Sequence, residues 1–335
     1  MSNLFLDTLS GRQSKKRPVW LMRQAGRYLA EYKAVRASES NFISFCLDPE
    51  KAVEVTLQPI NRFGFDAAII FSDILLLPYA LGQSVNFKKD FGPELGEINF
   101  NKLSEVSEKE FTKKLQPVYN SLKITKAKKE LKNKDLIGFV GAPWTILVYM
   151  LHKKSPKNKD FKKNLKDKKF VNELLEIITK FLKIHINNQI KGGATIIQIF
   201  DSWAGLLNEE DLEKYVYKPT NNLVSFIKSK KVPSICFPKD IKNYKKYVEL
   251  VKPDVVSIDY NVDPVEIANK IDIVVQGGLN PNLLLGDKDL LKKNTFKYLD
   301  IFKDKPYIFN LGHGVLPNTD PGMVDYLVKL IKNYS

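Results

Sequence analysis

Apolar residues along this chain gather in short runs separated by longer stretches of helical spacing, and the alternation recurs eight times. The runs at 19–22, 66–71, 136–140, 195–200, 233–237, 255–258, 273–276 and 307–311 are apolar and β-branched. Short runs of this kind read as strands. Between them, 49–63, 171–190, 209–229, 264–270 and 321–332 carry helical spacing. The first has proline in its first turn after Asp48, and the last follows Asp320 as a cap. Eight strand–helix units in about 300 residues predict an α/β fold, a single-domain (β/α)8 TIM-type barrel over residues 1–335, with an open doubly wound sheet as the alternative. No internal repeat and no proline- or glycine-rich linker divides the chain. The long lysine-rich intervals after the second and third strands read as insertions or extra helices.

The predicted strands end in polar and glycine-rich segments. The first runs into Arg23-Gln24-Ala25-Gly26-Arg27, the second into Ser72-Asp73 and the third into Gly141-Ala142-Pro143-Trp144. The fourth meets Asp201-Ser202-Trp203-Ala204-Gly205, the sixth Asp259-Tyr260, the seventh Gly277-Gly278-Leu279-Asn280 and the eighth Gly312-His313-Gly314. In a parallel barrel all of these emerge on the carboxyl-terminal face, where such folds build active sites. The pattern is that of an enzyme.

Composition narrows the chemistry. With 335 residues and 44% hydrophobic content the chain can bury a large core. Its formal net charge of +15 comes from 53 basic and 38 acidic residues. Lysine-rich stretches such as 123–134 and 153–169 read as solvated helix faces and loops. No helix-turn-helix, ribonucleoprotein or zinc-finger pattern accompanies them, so charge alone speaks for a nucleic-acid partner and none is expected. Cys46 and Cys236 lack a CxxC partner, which argues against a disulfide framework or thiolate zinc site and for a reducing compartment. Neither a signal-like start nor a membrane-length apolar stretch is visible, so a soluble cytoplasmic protein without a membrane partner is expected.

All six arginines lie within the first 62 residues, while lysine supplies every other basic side chain. Guanidinium offers a planar fork of donors that grips a carboxylate or phosphate bidentately, which lysine cannot copy. Arg23 and Arg27 follow the apolar run 19–22 and straddle Gly26, a site-like arrangement. Arg12, Arg17, Arg36 and Arg62 read as surface charges. Asp73 ends an apolar strand and has two readings, a helix cap or a carboxylate in the barrel mouth. His313, between two glycines, is poorly explained by core filling and reads as a site residue. His152 and His185 lie in predicted helices as ordinary packing. Tyr149 alone reads as core or helix surface, and Ser202 equally as cap or site, with no GxSxG elbow around it. Gly277-Gly278 is a weak phosphate-site signal. No metal-ligand pattern is present, so no metal is expected.

Five segments together carry a resemblance: Pro18-Val19-Trp20-Leu21-Met22-Arg23-Gln24-Ala25-Gly26-Arg27-Tyr28, Phe71-Ser72-Asp73-Ile74-Leu75, Gly141-Ala142-Pro143-Trp144-Thr145, Phe200-Asp201-Ser202-Trp203-Ala204-Gly205 and Asn310-Leu311-Gly312-His313-Gly314. In this order, across nearly the whole chain, they resemble the uroporphyrinogen decarboxylase family. The resemblance implies a metal-free, cofactor-free (β/α)8 carboxy-lyase, a homodimer, that removes CO2 from the four acetate arms of uroporphyrinogen III to give coproporphyrinogen III in haem biosynthesis. It implies that Arg23, Gln24, Ala25, Gly26 and Arg27 bind substrate carboxylates and that Asp73 contacts the central pyrrole N–H groups. Tyr149, Ser202 and His313 would add hydrogen bonds to the tetrapyrrole. Asp73 and Arg23 are the expected catalytic residues, with the proton donor open between Arg23 and a water held by Asp73. The chain departs from the family pattern at Met150 to Pro156, where a glycine-rich stretch is usual, and at Ala30, where proline is common. A methyltransferase on the same barrel is the rival; it would need zinc held by a His-x-Cys pair, and His313 is followed by Gly314-Val315.

Overall fold

The structure is a computed structural model and describes residues 4–12, 16–88, 92–156, 165 and 167–334. Its sheet starts with β1 (Ala67–Ile69); an antiparallel hairpin of β2 (Val85–Lys88) and β3 (Gly92–Leu95) stands apart from it. Six further strands follow: β4 (Asp135–Gly141), β5 (Ile196–Asp201), β6 (Ser234–Pro238), β7 (Val255–Ile258), β8 (Val274–Gly277) and β9 (Tyr307–Ile308). The order is β1-β4-β5-β6-β7-β8-β9 and every pairing in it is parallel. Seven predicted strands are therefore present, each starting within a residue of its expected position, the first and last of the seven shortened.

The first predicted strand closes the ring. Val19 forms a parallel bridge to Phe309, whose N–H donates to the Pro18 carbonyl at 2.9 Å. On its other side the Asp66 N–H donates to the Val19 carbonyl at 2.9 Å, and the Asp66 carboxylate accepts the Val19 N–H at 2.8 Å. Regular pairing stops there because side-chain amides take over the ladder: Gln24 Oε1 accepts the Leu21 N–H and Asn310 Oδ1 the Met22 N–H. Seven strands and one irregular closing segment thus make the barrel.

Alternate residues of each strand point inward. Trp20, Ala67, Ile137, Ile196, Ile235, Val255, Val274 and Ile308 form one interior cluster, which Phe5 of the helix Leu4–Leu9 joins as a plug. A buried polar belt crosses this interior. Gln276 accepts the Trp20 indole N–H at 2.9 Å and donates to Gln198 and Ser257. Two residues beyond Trp20, Ala67, Ile137, Gln198 and Ile235, the inward side chains become the floor of a cavity.

Helices Pro49–Phe63, Pro264–Lys270 and Pro321–Lys332 have their expected bounds, each with an aspartate cap and proline in the first turn. The stretch 171–190 lies within the helix Lys168–Lys191. The stretch 209–229 is interrupted: a π-helical turn at Glu213–Tyr217 turns Tyr215 onto Trp144 and Tyr217 onto Tyr247. The interval after β1 holds the hairpin and the helices Phe100–Ser104 and Glu108–Lys126, which fit the expected insertion. Part of the stretch 153–169 lies outside the described residues. No helix among the described residues is long and apolar enough to cross a membrane.

Candidate active site

Period-two alternation delivers Met22, Ile69, Phe139, Phe200 and Phe237 to the carboxyl-terminal end of the barrel interior. There they floor a cavity of about 1020 Å³. That volume is at the upper end of the roughly 300–1,000 Å³ usual for small-molecule sites. The walls come from the loops after the strands and from the β2–β3 hairpin, which contributes Phe87, Gly92 and Pro93.

Arg23, Ala25, Gly26 and Arg27 line the cavity, both arginines exposed to it. Gln24 does not join them. It is fully buried, accepts the Leu21 N–H and donates to the Ala67 carbonyl at 3.2 Å, so its side chain holds the closing segment against β1. Arg36 corrects the sequence reading in the other direction. It lines the cavity, with its guanidinium 5.7 Å from the Phe42 ring centroid and 5.4 Å from that of Phe45. Arg17 is also no surface charge: it is buried and donates to the carbonyls of Phe302 and Lys303. Arg12 and Arg62 are the exposed, ion-paired side chains expected. No sequence signal separated Arg36 from them, because its approach to the cavity depends on how helix Ala30–Ala37 packs.

Asp73 also lines the cavity, and its Oδ1 accepts the Leu75 N–H at 2.8 Å. Of its two readings the pocket carboxylate holds and the helix cap does not: helix Leu76–Ala80 has Leu75 at its N-cap without a side-chain cap, and Asp73 instead orders the turn just before it. Burial raises its pKa to about 6, against the opposing pull of the Leu75 N–H and the Arg23 charge. At neutral pH it is mostly a carboxylate held in a poorly solvated place. His313 is pushed the other way, down to about 4, first by burial and then by the Arg23 and Lys239 charges. It is a neutral imidazole at pH 7, able to donate and accept. Its neighbour Gly312 is glycine because of close packing and not because of an unusual backbone conformation. Neither flanking glycine is left-handed, and a Cβ on Gly312 would lie 2.8 Å from the Asp259 carbonyl carbon.

Tyr149 and Ser202 complete the lining. Burial keeps the Tyr149 phenol protonated, and its ring packs edge-on to Trp203, 5.8 Å between centroids. Ser202 is placed by what lies behind it. Thr145 Oγ1 donates to the buried Asp201 Oδ1 at 2.6 Å and accepts the Trp203 N–H at 3.2 Å, and the Trp144 indole donates to the Trp203 carbonyl. Past Tyr149, Lys153 ends helix Pro143–His152 with φ +63°, the conformation glycine favours. The chain can then bridge Glu94 of β3 through Lys154 and bring Ser155 to the cavity. Ala30 is the first residue of its helix, a position where proline is tolerated, which explains why either residue serves. Gly277 and Gly278 do not line the cavity; their carbonyls accept the Tyr307 and Tyr298 hydroxyls. Cys46 and Cys236 are buried and free, His185 shares a hydrogen bond with the Tyr119 hydroxyl, and no three candidate ligands converge as a metal site among the described residues.

An aromatic-floored cavity carrying three arginines, one carboxylate and a neutral histidine, set in the carboxyl-terminal mouth of a (β/α)8 barrel, places this chain among the barrel enzymes that act on anionic small molecules. Comparison with known proteins makes the class specific. The family model described as uroporphyrinogen decarboxylase (URO-D) matches residues 2–334. The uroporphyrinogen decarboxylase of Rickettsia bellii is 48% identical over 335 residues, covering 96% of each chain. That of Rickettsia felis is 44% identical over 332 residues, covering 96% of this chain and 95% of its own. The chain belongs to the uroporphyrinogen decarboxylase family of carboxy-lyases. Its fold is shared more widely: a methyltransferase from Methanosarcina mazei superposes with a TM-score of 0.79 at 19% identity, covering 98% of this chain and 96% of its own. At that identity the likeness concerns the barrel alone.

Proposed function

We propose that the cavity binds uroporphyrinogen with its carboxylates on Arg23, Arg27 and Arg36 and its central pyrrole N–H groups on Asp73, with Tyr149, Ser202 and His313 supplying further hydrogen bonds. One observation carries this reading: side chains from five separated stretches of chain, at 23–27, 73, 149, 202 and 313, converge on a single cavity.

The arrangement suits decarboxylation of an acetate arm. Breaking the bond from the methylene carbon to the carboxylate leaves an electron pair there, and a neutral pyrrole is a poor acceptor for it. Protonating the neighbouring ring carbon, between the arm-bearing carbon and the nitrogen, makes a cationic ring conjugated to the arm, which takes the pair as CO2 departs. The methylene carbon then gains a proton and the ring carbon gives its own up. Each cycle thus replaces one carboxylate by one hydrogen and consumes one proton. The Asp73 carboxylate stabilises the cationic ring because it is poorly solvated, so little water screens it. Phe139, Phe200 and Phe237 keep water from the ring face, and neutral His313 adds no cation that would oppose the charge.

The same reading includes a homodimer and a cytoplasmic location, for which sedimentation velocity and cell fractionation are the tests. For the site itself the test is Asp73→Asn. It keeps shape and loses charge, so it should bind substrate and decarboxylate about 10²–10³-fold more slowly, the usual cost of removing one preorganised partner. Anaerobic incubation with uroporphyrinogen III, followed by chromatography of the oxidised porphyrins by carboxyl number, gives the rate. Turnover near wild type would remove Asp73 from the mechanism.

A further inference from the structure

Arg23 is the residue in the site whose backbone pays most visibly for its position. Its φ is +61°, in the left-handed region that a long L side chain rarely adopts. Backbone hydrogen bonds on both sides hold it there. The Val315 N–H donates to the Met22 carbonyl at 2.8 Å, the Met22 N–H to Asn310 Oδ1 at 3.0 Å and the Gln24 N–H to the Leu21 carbonyl at 2.9 Å. The strand end that carries His313 therefore also clamps the loop that carries Arg23.

A second contact in the same place concerns the side chain. A Cβ built on Gly314 would lie 2.6 Å from Arg23 Cγ, 3.0 Å from Nε and closer still to Cδ. Gly314 is not left-handed, so its own backbone does not require glycine. What requires glycine is the arginine stem lying across it. We propose that Gly314 is a positioning residue for Arg23: the absent side chain at 314 is the channel in which the Arg23 stem lies, and it fixes where the guanidinium meets a substrate carboxylate. With the backbone at 22–24 pinned, a methyl group at 314 leaves the Arg23 side chain as the part able to yield. The displaced guanidinium would also move relative to Asp73 and His313, both of which feel its charge.

The inference rests on the reading of Arg23 as a substrate-binding residue, and a double-mutant cycle tests the two separately. Wild type, Gly314→Ala, Arg23→Ala and the double variant are assayed for kcat and KM with uroporphyrinogen III, and their melting temperatures are recorded. We expect Gly314→Ala to lower kcat/KM roughly tenfold with the fold intact, and to have less than about a twofold effect once Arg23 is alanine, the coupling expected of residues in contact. Independent, multiplicative losses would overturn the proposal, because a methyl group that simply obstructs the cavity acts whether or not Arg23 is present. Wild-type activity in Gly314→Ala would overturn it as well. Both of those outcomes leave the role of Arg23 standing, whereas wild-type activity in Arg23→Ala would remove that role and the inference with it. If Gly314→Ala does not fold, the double variant decides: removing the stem should restore folding, and failure to restore it overturns the assignment.

Discussion

Asp73 has a folded-state pKa of about 6, above the roughly 3.9 of an unfolded aspartate. Between those values the folded protein binds more protons than the unfolded one, so this residue makes stability fall as pH rises from about 4 to about 6. Its charge is thus held against the fold's own preference, as expected of a group kept for chemistry. Asp73→Asn should therefore melt higher than wild type at pH 7 while turning over more slowly, and the acid limb of kcat/KM near pH 6 should disappear in the variant. A calorimetric melt at pH 7 and a pH–rate profile check both. Arg23→Lys and Arg27→Lys keep charge but lose the bidentate fork. Each should weaken substrate affinity or rate by roughly 1.5–3 kcal/mol, the contribution of a hydrogen bond to a charged group. Normal titration of substrate by both variants would refute the bidentate argument. These residues were legible in the sequence because they sit at strand ends in unusual company, guanidinium in a lysine chain and histidine between glycines. Gln24 and Arg36 were misjudged for one physical reason. A side chain's direction out of an irregular segment, or off a helix such as Ala30–Ala37, is set by packing with residues far away in sequence. Gln24 sits between two cavity-facing arginines yet points at the Ala67 carbonyl.

At the level of elements, the strands of the barrel were readable because burial on both faces forces near-continuous apolar runs, and helices 49–63, 264–270 and 321–332 because aspartate and proline mark their starts. What escaped were elements whose existence depends on partners. The β2–β3 hairpin is neither long nor strongly apolar. It is held where Gln83 donates to the carbonyls of Gly96 and Met150, and where the Leu95 N–H donates to the Lys153 carbonyl. The closing segment likewise shows only one regular bridge because amide side chains from Gln24 and Asn310 stand in for strand partners. Helix Leu4–Leu9 is too short to be stable alone and persists by placing Phe5 in the barrel interior. Phe5 is 0% exposed, so Phe5→Ala should cost about 3–5 kcal/mol of stability. The cavity floor is formed by other residues, so kcat should change little at temperatures where the variant stays folded. Chemical denaturation compared with steady-state kinetics separates the two effects. A loss of kcat equal to that of a site variant would mean that the plug shapes the cavity as well as the core.

Over the whole molecule the sign of the charge is the same at both length scales. The chain carries a formal net charge of +15, and the cavity sets three arginines against the single carboxylate of Asp73. The lysines are mostly exposed, as on helix Glu108–Lys126 and the turn Lys129–Leu131, and individually they contribute little to stability. Together they create a long-range positive field. Such a field raises the encounter rate of an anion in proportion to its charge and weakens as salt shortens the Debye length, from about 30 Å at 0.01 M to about 3 Å at 1 M. A substrate that sheds carboxylates as it reacts converts this into an internal comparison. The eight-carboxyl starting compound should show a steeper fall of kcat/KM with ionic strength than the five-carboxyl intermediate. kcat at saturation should change little for either, since contacts inside the cavity are screened less than the approach to it. The measurement is kcat/KM for each purified porphyrinogen across a salt series. Equal slopes would confine the lysine excess to solubility, and retention of random duplex DNA at physiological salt would point instead to a polyanion partner that the cavity does not serve.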